Sequence, residues 1–344
     1  MKRRDFVRAM GAGSAATLAG WLPGAAPLAG WLPGAAPLAG AAPVTIPPLR
    51  DRAPHRYGPL IDDAVRLVVL HTNDTHSRMD PFPDDGGPFA GLGGAARRAT
   101  LIRRVRAENE HVLLLDAGDI FQGTPYFNFF GGELEFRAMT AMGYDVATLG
   151  NHDFDNGVDG LVAMLPEAGF EFVSANYDVR DSALEGHVRP WTIRDFGGVR
   201  VGIFGLGIAF EKLVLASLHE GVRYTDPIAA ARVACRELRG QGCALIICLS
   251  HLGYAYPDPE RPSDRTLAQA VPEIDLILGG HTHTFLDQAE VFGRGGAGRR
   301  FTVVNQAGWG GMRLGRVDVG FGPAGQASGW AAADYDIDDR LDAR

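Results

Sequence analysis

Cysteine is nearly absent from this chain. Cys235, Cys243 and Cys248 are the only three, an odd number that builds no disulfide framework, and no pair has zinc-finger spacing. Cys248 lies in Leu245-Ile246-Ile247-Cys248-Leu249, which reads as a buried strand and makes it an inert core thiol. A Cys235–Cys243 bridge requires an oxidising compartment. Positive charge is also in deficit: 33 Lys and Arg stand against 41 Asp and Glu, for a net charge of −8. That argues against a nucleic-acid polymer as partner, because its binders need a basic face to displace counterions. It does not exclude a small phosphorylated substrate, since bound cations can supply the missing charge. The apolar N-terminal stretch is broken at Pro23, Pro27, Pro33 and Pro37, before it reaches the ~20 residues a membrane span needs. No stable membrane span is expected.

The 344 residues leave room for one large domain or two small ones, and 46% apolar against 22% charged residues describes a globular chain. The 46 glycines and 21 prolines point to many tight turns and backbone-lined loops. The chain opens Met1-Lys2-Arg3-Arg4-Asp5-Phe6-Val7-Arg8 and continues through an Ala/Gly-rich stretch to about Leu22. A basic start and a weakly apolar run have the form of an export signal, and Arg3-Arg4 followed by Phe6 resembles the twin-arginine type. Residues 21–30 and 31–40 are the same decapeptide, too short to form a solenoid unit. Ala39-Gly40-Ala41 fits a cleavage site. Residues 1–41 are therefore read as a twin-arginine-type signal peptide and 42–64 as a linker. The mature protein is expected to be periplasmic or secreted.

The remainder repeats one arrangement, a short β-branched or leucine-rich run followed at once by a turn carrying Asp, Asn or His. Leu67–Leu70 leads to Asn73-Asp74-Thr75-His76. Val112–Leu115 leads to Asp116-Ala117-Gly118-Asp119, and Val146–Leu149 to Gly150-Asn151-His152-Asp153. Leu245–Leu249 leads to Ser250-His251, and Ile274–Leu278 to Gly279-Gly280-His281-Thr282-His283. Helical spacing is found over Ala95–Asn109 and Pro227–Arg239, with shorter candidates at Leu134–Met142 and Val158–Ala168. Alternating strands and helices indicate an α/β fold, in which ligands bind beyond the carboxyl ends of the strands. Each motif alone has a structural use as a cap, a turn or a surface histidine. Five of ten histidines fall in these post-strand turns, and the five turns together make a joint pattern that chance does not assemble.

Taken together, Asn73-Asp74-Thr75-His76, Asp116–Thr124, Gly150–Asp155, Ser250–Gly253 and Gly280–His283 resemble the calcineurin-like metallophosphoesterases, and within them the 5′-nucleotidase family. The resemblance implies a single-domain α/β fold of β-sheets sandwiched by helices, over residues 65–320. It implies two divalent metal ions, one held by Asp74, His76, Asp119 and His283 and the other by Asp119, Asn151, His251 and His281, with Asp119 bridging. Some nucleotidases have Gln where His283 stands. Carboxylate, imidazole and amide ligands suit Mn, Zn, Fe or Co. Two such ions ~3.5–4 Å apart can share a hydroxide that attacks phosphorus in line. His152 and Asp155 match the family's catalytic pair, the imidazole neutralising charge on the phosphoryl and leaving-group oxygens.

Typical 5′-nucleotidases carry a second, C-terminal domain whose aromatic residues stack the nucleobase. This chain ends at Arg344, and residues 321–344, Gly/Ala-rich and then acidic, are expected to be a solvated tail. The resemblance thus implies phosphoester hydrolysis more directly than nucleotide specificity. Phe121, Tyr126, Phe127, Phe129 and Phe130, and after His251 Tyr254 and Tyr256, serve either as a substrate wall or as core and interface. The expected activity is a phosphomonoesterase acting on nucleotides or related small esters. A phosphodiesterase on cyclic nucleotides or nucleotide sugars, and a catalytic half needing a separate nucleotide-binding chain, are the alternatives. A binding module that had lost its chemistry would show a degenerate ligand set, and this one is complete.

Overall fold

The apolar runs of the sequence become strands buried on both faces. In a computed structural model of the protein, the described residues are 55–57, 65–293, 301–323 and 325–341; the expected signal, 1–41, lies outside them. They fall within one compact unit, Pro48–Arg344. In chain order the first strands are β1 (His55–Tyr57), β2 (Val65–Thr72), β3 (Val112–Asp116), β4 (Val146–Ala147), β5 (Glu171–Val173), β6 (Tyr177–Asp178), β7 (Val188–Arg189) and β8 (Trp191–Phe196). They are followed by β9 (Val199–Gly207), β10 (Arg223–Tyr224), β11 (Leu245–His251), β12 (Leu276–Gly279), β13 (Glu290–Phe292), β14 (Thr302–Asn305), β15 (Arg313–Phe321) and β16 (Ala327–Asp336). The helices are α1 (Ala95–Glu108), α2 (Pro125–Phe130), α3 (Glu133–Met142), α4 (Gly157–Met164), α5 (Pro227–Gly240) and α6 (Asp264–Ala270).

Two large sheets result. One has the order β1-β16-β15-β2-β3-β4-β5-β7, the other β13-β14-β12-β11-β9-β8, and β6 pairs separately with β10. Within single strands, alternate residues serve different layers. Leu67, Val69, Leu113 and Leu115 of the first sheet meet Ile203, Ile247, Leu249 and Leu278 of the second in one core between the sheets. Val68, Leu70 and Leu114 face outward against α1, α3 and α4. On the far side, Ile246, Cys248 and Ile277 face α5 and α6. Burial on both faces explains why these strands read as unbroken apolar runs rather than alternating ones. Each fully buried Leu, Ile or Val contributes ~1.5–3 kcal/mol, so the four-layer helix–sheet–sheet–helix stack is fixed mainly by these positions.

β2, β3 and β4 are mutually parallel, as are β9, β11, β12 and β14. The carboxyl ends that carry the polar turns can therefore converge. The helices expected at Ala95–Asn109, Leu134–Met142 and Pro227–Arg239 form within a residue of those bounds, while the Val158–Ala168 segment starts as α4 and ends in a 3-10 turn at Leu165–Glu167. All three cysteines are buried free thiols.

Two expectations fail. The expected tail, 321–344, is not solvated over its described residues 325–341: β16 pairs antiparallel with β15 across its length, through an irregularity at Gly320/Phe321, and Trp330, Ala331 and Ala332 are buried. The small side chains that suggested solvent suit a strand packed against another sheet, and Trp330 and Ala332 enter the inter-sheet core. Part of the supposed linker is likewise a strand, since β1 pairs antiparallel with β16.

Candidate metal centre

Seven side chains singled out in the sequence meet where the strands end. The donor atoms of Asp74, His76 and His283 lie within 4.8 Å of one another, and so do those of Asp119, His251 and His281. Asn151 Oδ1 is 2.9 Å from His281 Nδ1. The two groups adjoin, with Asp119 Oδ2 3.1 Å from His251 Nε2 in one and 3.9 Å from His76 Nε2 in the other. Asp74, His76, Asp119, Asn151 and His251 are buried, whereas His281 and His283 are half-buried at the mouth.

The loops reach this arrangement through unusual backbone. Asp74, His76, Asp119, His281 and His283 all have left-handed φ, between 49° and 72°. Such conformations cost of order 1–3 kcal/mol each for non-glycine residues and collect at functional sites. Main-chain bonds hold them there. The His281 N–H donates to both oxygens of Asp74 at 3.0 Å, and the His152 N–H donates to Asp119 Oδ1 at 2.8 Å. Gly150 is required by close approach, because a β-carbon there would stand 2.2 Å from Asp119 Oδ1.

The donor set fits divalent cations. Carbonyls only accept, so His251 Nδ1–H donates to Ala117 O at 2.7 Å and His76 Nδ1–H donates to Phe121 O at 3.3 Å. Both rings thereby turn Nε2 toward the carboxylates. His251 Nε2 makes no well-formed hydrogen bond although Asp119 Oδ2 is 3.1 Å away, and His76 Nε2 faces His283 Nε2 at 3.0 Å. Lone pairs and carboxylates crowded together in a buried site call for a cation between them. With protons alone, burial opposes charge on His251, but the Asp119 and Asp74 carboxylates outweigh it and push its pKa up to about 10. Burial likewise opposes charge on Asp119, yet His251, His76 and His152 hold its carboxyl below the usual range. Burial and His251 bring His281 down to about 4. A metal ion held by these residues would replace the protons that the cluster otherwise attracts.

His152 and Asp155 pair at the rim, where His152 Nδ1–H donates to Asp155 Oδ2 at 2.9 Å. That bond raises the imidazole pKa against the effect of burial, and it leaves Nε2 for a substrate. His152 shares a cleft with His76, Arg78, Gln122, Gly123, His283 and Trp309.

Several residues that build the site, Asn73 and Asp153 of the quoted motifs among them, were given no role of their own in the sequence. The Asp153 carboxylate accepts from the N–H groups of Asp119, Ile120, Phe121 and Gly150, tying two ligand loops together. Asn73 donates to Asp74 Oδ2 at 2.6 Å and to Gly308 O. Gln306 accepts from the Thr284 N–H and donates to Gly280 O, bracing the His281–His283 turn. Trp309 stacks on His283 with ring centroids 5.4 Å apart and planes 10° from parallel. Asn305-Gln306-Ala307, running from the last residue of β14 into the turn, repeats the strand-then-polar-turn signal and was the available clue. The aromatic run divides: Phe121 and Phe127 belong to the core, Tyr126 donates to Asp80, and Phe129 and Phe130 are exposed. Tyr254 and Tyr256 spend their hydroxyls on Glu290 and Leu252 O.

The family model for calcineurin-like phosphoesterases matches residues 67–285. The chain is 39% identical to a snake venom 5′-nucleotidase of Crotalus adamanteus over 227 residues, 64% of this chain and 37% of that protein. It is 34% identical to the trifunctional nucleotide phosphoesterase protein YfkN of Bacillus subtilis over 292 residues, 75% of this chain and 18% of that one. The solved structure of a 5′-nucleotidase precursor from Thermus thermophilus superposes with a TM-score of 0.70 at 31% identity, covering 80% of this chain and 55% of that one. The chain thus spans well under two thirds of the length of these relatives, and they lend no support to a separate nucleotide-binding chain. Among the described residues no helix is long and apolar enough to cross a membrane. With its family match, its fold and its site in agreement, the chain belongs to the calcineurin-like phosphoesterase family.

Proposed function

We propose that this protein is an exported, metal-dependent hydrolase of phosphate esters, acting on nucleotides or related small phosphomonoesters. The observation that carries the reading is the pair of adjoining donor groups, Asp74/His76/His283 and Asp119/His251/His281, with His152 beside them in one cleft. Asp74, His76, Asp119 and His283 would hold one divalent ion, and Asp119, Asn151, His251 and His281 the other. Mn, Zn, Fe or Co suits such ligands. When bound, two such ions polarise the phosphoryl group and supply an acidified water as nucleophile.

The chain's own side chains do the rest. His152 presents Nε2 to the phosphoryl and leaving-group oxygens, where a proton or positive charge favours the transition state. Asp155 fixes the ring through the 2.9 Å bond and keeps Nδ1 protonated. Asp153, Asn73 and Gln306 keep the ligand loops at fixed separation. Nucleotides are favoured as substrates because the relatives include proteins named 5′-nucleotidase. Export is read from Arg3-Arg4 and the stretch after it, and the name of the venom relative is in keeping with an extracellular place. A phosphodiesterase acting on cyclic nucleotides or nucleotide sugars is a second reading, kept because YfkN is named a trifunctional nucleotide phosphoesterase.

A hydrolysis screen tests the proposal. The purified mature protein, loaded in turn with Mn, Zn, Co and Mg, is assayed for release of phosphate from nucleotides, cyclic nucleotides, nucleotide sugars and p-nitrophenyl phosphate. Turnover of monoesters that is abolished by a chelator and restored by metal supports the proposal. Absence of turnover under every metal refutes it.

A further inference from the structure

We propose that Arg78 selects phosphomonoesters over phosphodiesters, by pairing with the second negative charge that only a monoester carries. The inference rests on the hydrolytic reading above and sharpens it.

Arg78 lies two residues beyond His76 and lines the same cleft as His76, His152 and His283. Its side chain is half-buried, and it forms no ion pair with a carboxylate among the described residues. The acid whose charge it feels most, Asp80, already accepts a 2.6 Å bond from the Tyr126 hydroxyl. The half-buried guanidinium therefore stands in the cleft without a carboxylate partner of its own.

Its position is nevertheless fixed. The guanidinium carbon lies 3.8 Å from the centroid of Phe82, a cation–π geometry. The Phe82 ring meets Trp309 edge-on at 5.3 Å, and Trp309 stacks on His283. The Arg78 N–H is tied to Thr75 O at 3.1 Å. One aromatic platform thus carries both a metal-ligating imidazole and an unpaired guanidinium, whose planar fork suits phosphate oxygens.

The selection follows from charge. A monoester has a second ionisation with a pKa of ~6, so near neutral pH it carries close to two charges. A diester carries one, and an ester group occupies the place of the second charged oxygen. His152 serves the departing oxygen in either case and does not discriminate. Arg78 is the cleft cation that gains a partner only from a monoester.

The test uses Arg78→Met, which keeps an unbranched side chain against Phe82, and Arg78→Lys, which keeps the charge. In the Mn-loaded proteins, kcat/KM is measured for p-nitrophenyl phosphate and bis(p-nitrophenyl) phosphate, and the affinity for inorganic phosphate is measured by calorimetry. Arg78→Met is expected to lower monoester kcat/KM and phosphate affinity at least ~tenfold, equivalent to ~1.4 kcal/mol. Its diester kcat/KM should change by less than about threefold, the range of an ordinary surface substitution. Arg78→Lys should recover part of the loss, and metal content should match wild type in both variants. Equal losses on the two esters, an unchanged monoester rate, or loss of metal would overturn the assignment. If the wild-type protein hydrolyses neither ester, the hydrolytic reading fails. Arg78 is then judged on phosphate affinity alone, and an unchanged value in Arg78→Met refutes its role.

Discussion

Replacing Gly150 by alanine places one methyl group at the tightest point of the site. The new β-carbon would stand 2.2 Å from Asp119 Oδ1, 2.5 Å from Asp119 N and 2.7 Å from His251 Cε1. Separations under 3.0 Å are essentially never seen, so the Asp119 carboxylate must retreat by the difference, about 0.8 Å. Metal–ligand bonds tolerate ~0.2 Å, and Asp119 is the one side chain assigned to both ions. The neighbourhood cannot yield easily, because Gly150 N–H and Asp119 N–H both donate to the buried Asp153 carboxylate. The overpacking itself costs ~1–3 kcal/mol. Gly150→Ala should therefore fold, melt earlier than wild type, and lose at least one of two ions on dialysis. Gly240→Ala is the control: it sits in the last turn of α5 with nothing within 4 Å of an added β-carbon, and gains up to ~1 kcal/mol of helix propensity. Metal content by mass spectrometry and thermal melts of the three proteins decide the matter. Two ions retained by Gly150→Ala at wild-type affinity would refute the placement of Asp119 at the centre.

Two further outcomes are expected. His152→Ala should keep both metals, because the bond to Asp119 Oδ1 comes from the main-chain N–H of residue 152, while turnover falls by ~10²–10⁴ as for loss of a positioned acid–base group; loss of metal from this variant would make His152 a ligand instead. Changing Arg3 and Arg4 together to Lys should trap the protein in the cytoplasm, as fractionation with an antibody would report, and normal periplasmic levels would count against twin-arginine export.

The five strand-and-turn motifs were legible because both-face burial leaves unbroken apolar runs, and because a polar turn directly after such a run places its ligands at the sheet's carboxyl end. All nine site residues named from them, the metal set plus His152 and Asp155, lie together in the structure. What escaped depends on distant pairing. Trp309 and Arg78 are ordinary in sequence and acquire meaning only through Phe82 and His283. Asn73 and Gln306 reach across more than 20 residues to the turns they brace. The failure at β16 has a different cause: Ala331, Ala332 and Ala333 carry little hydropathy, and their place is decided by pairing with β15 and β1.

The central claim, a two-ion phosphoesterase centre, is tested most directly by titrating metal-free protein with Mn while recording both ions bound and p-nitrophenyl phosphate hydrolysed. The account predicts binding that saturates at two ions per chain, with turnover appearing as the second site fills. Saturation at one ion or none, or turnover that is indifferent to chelation, would contradict it.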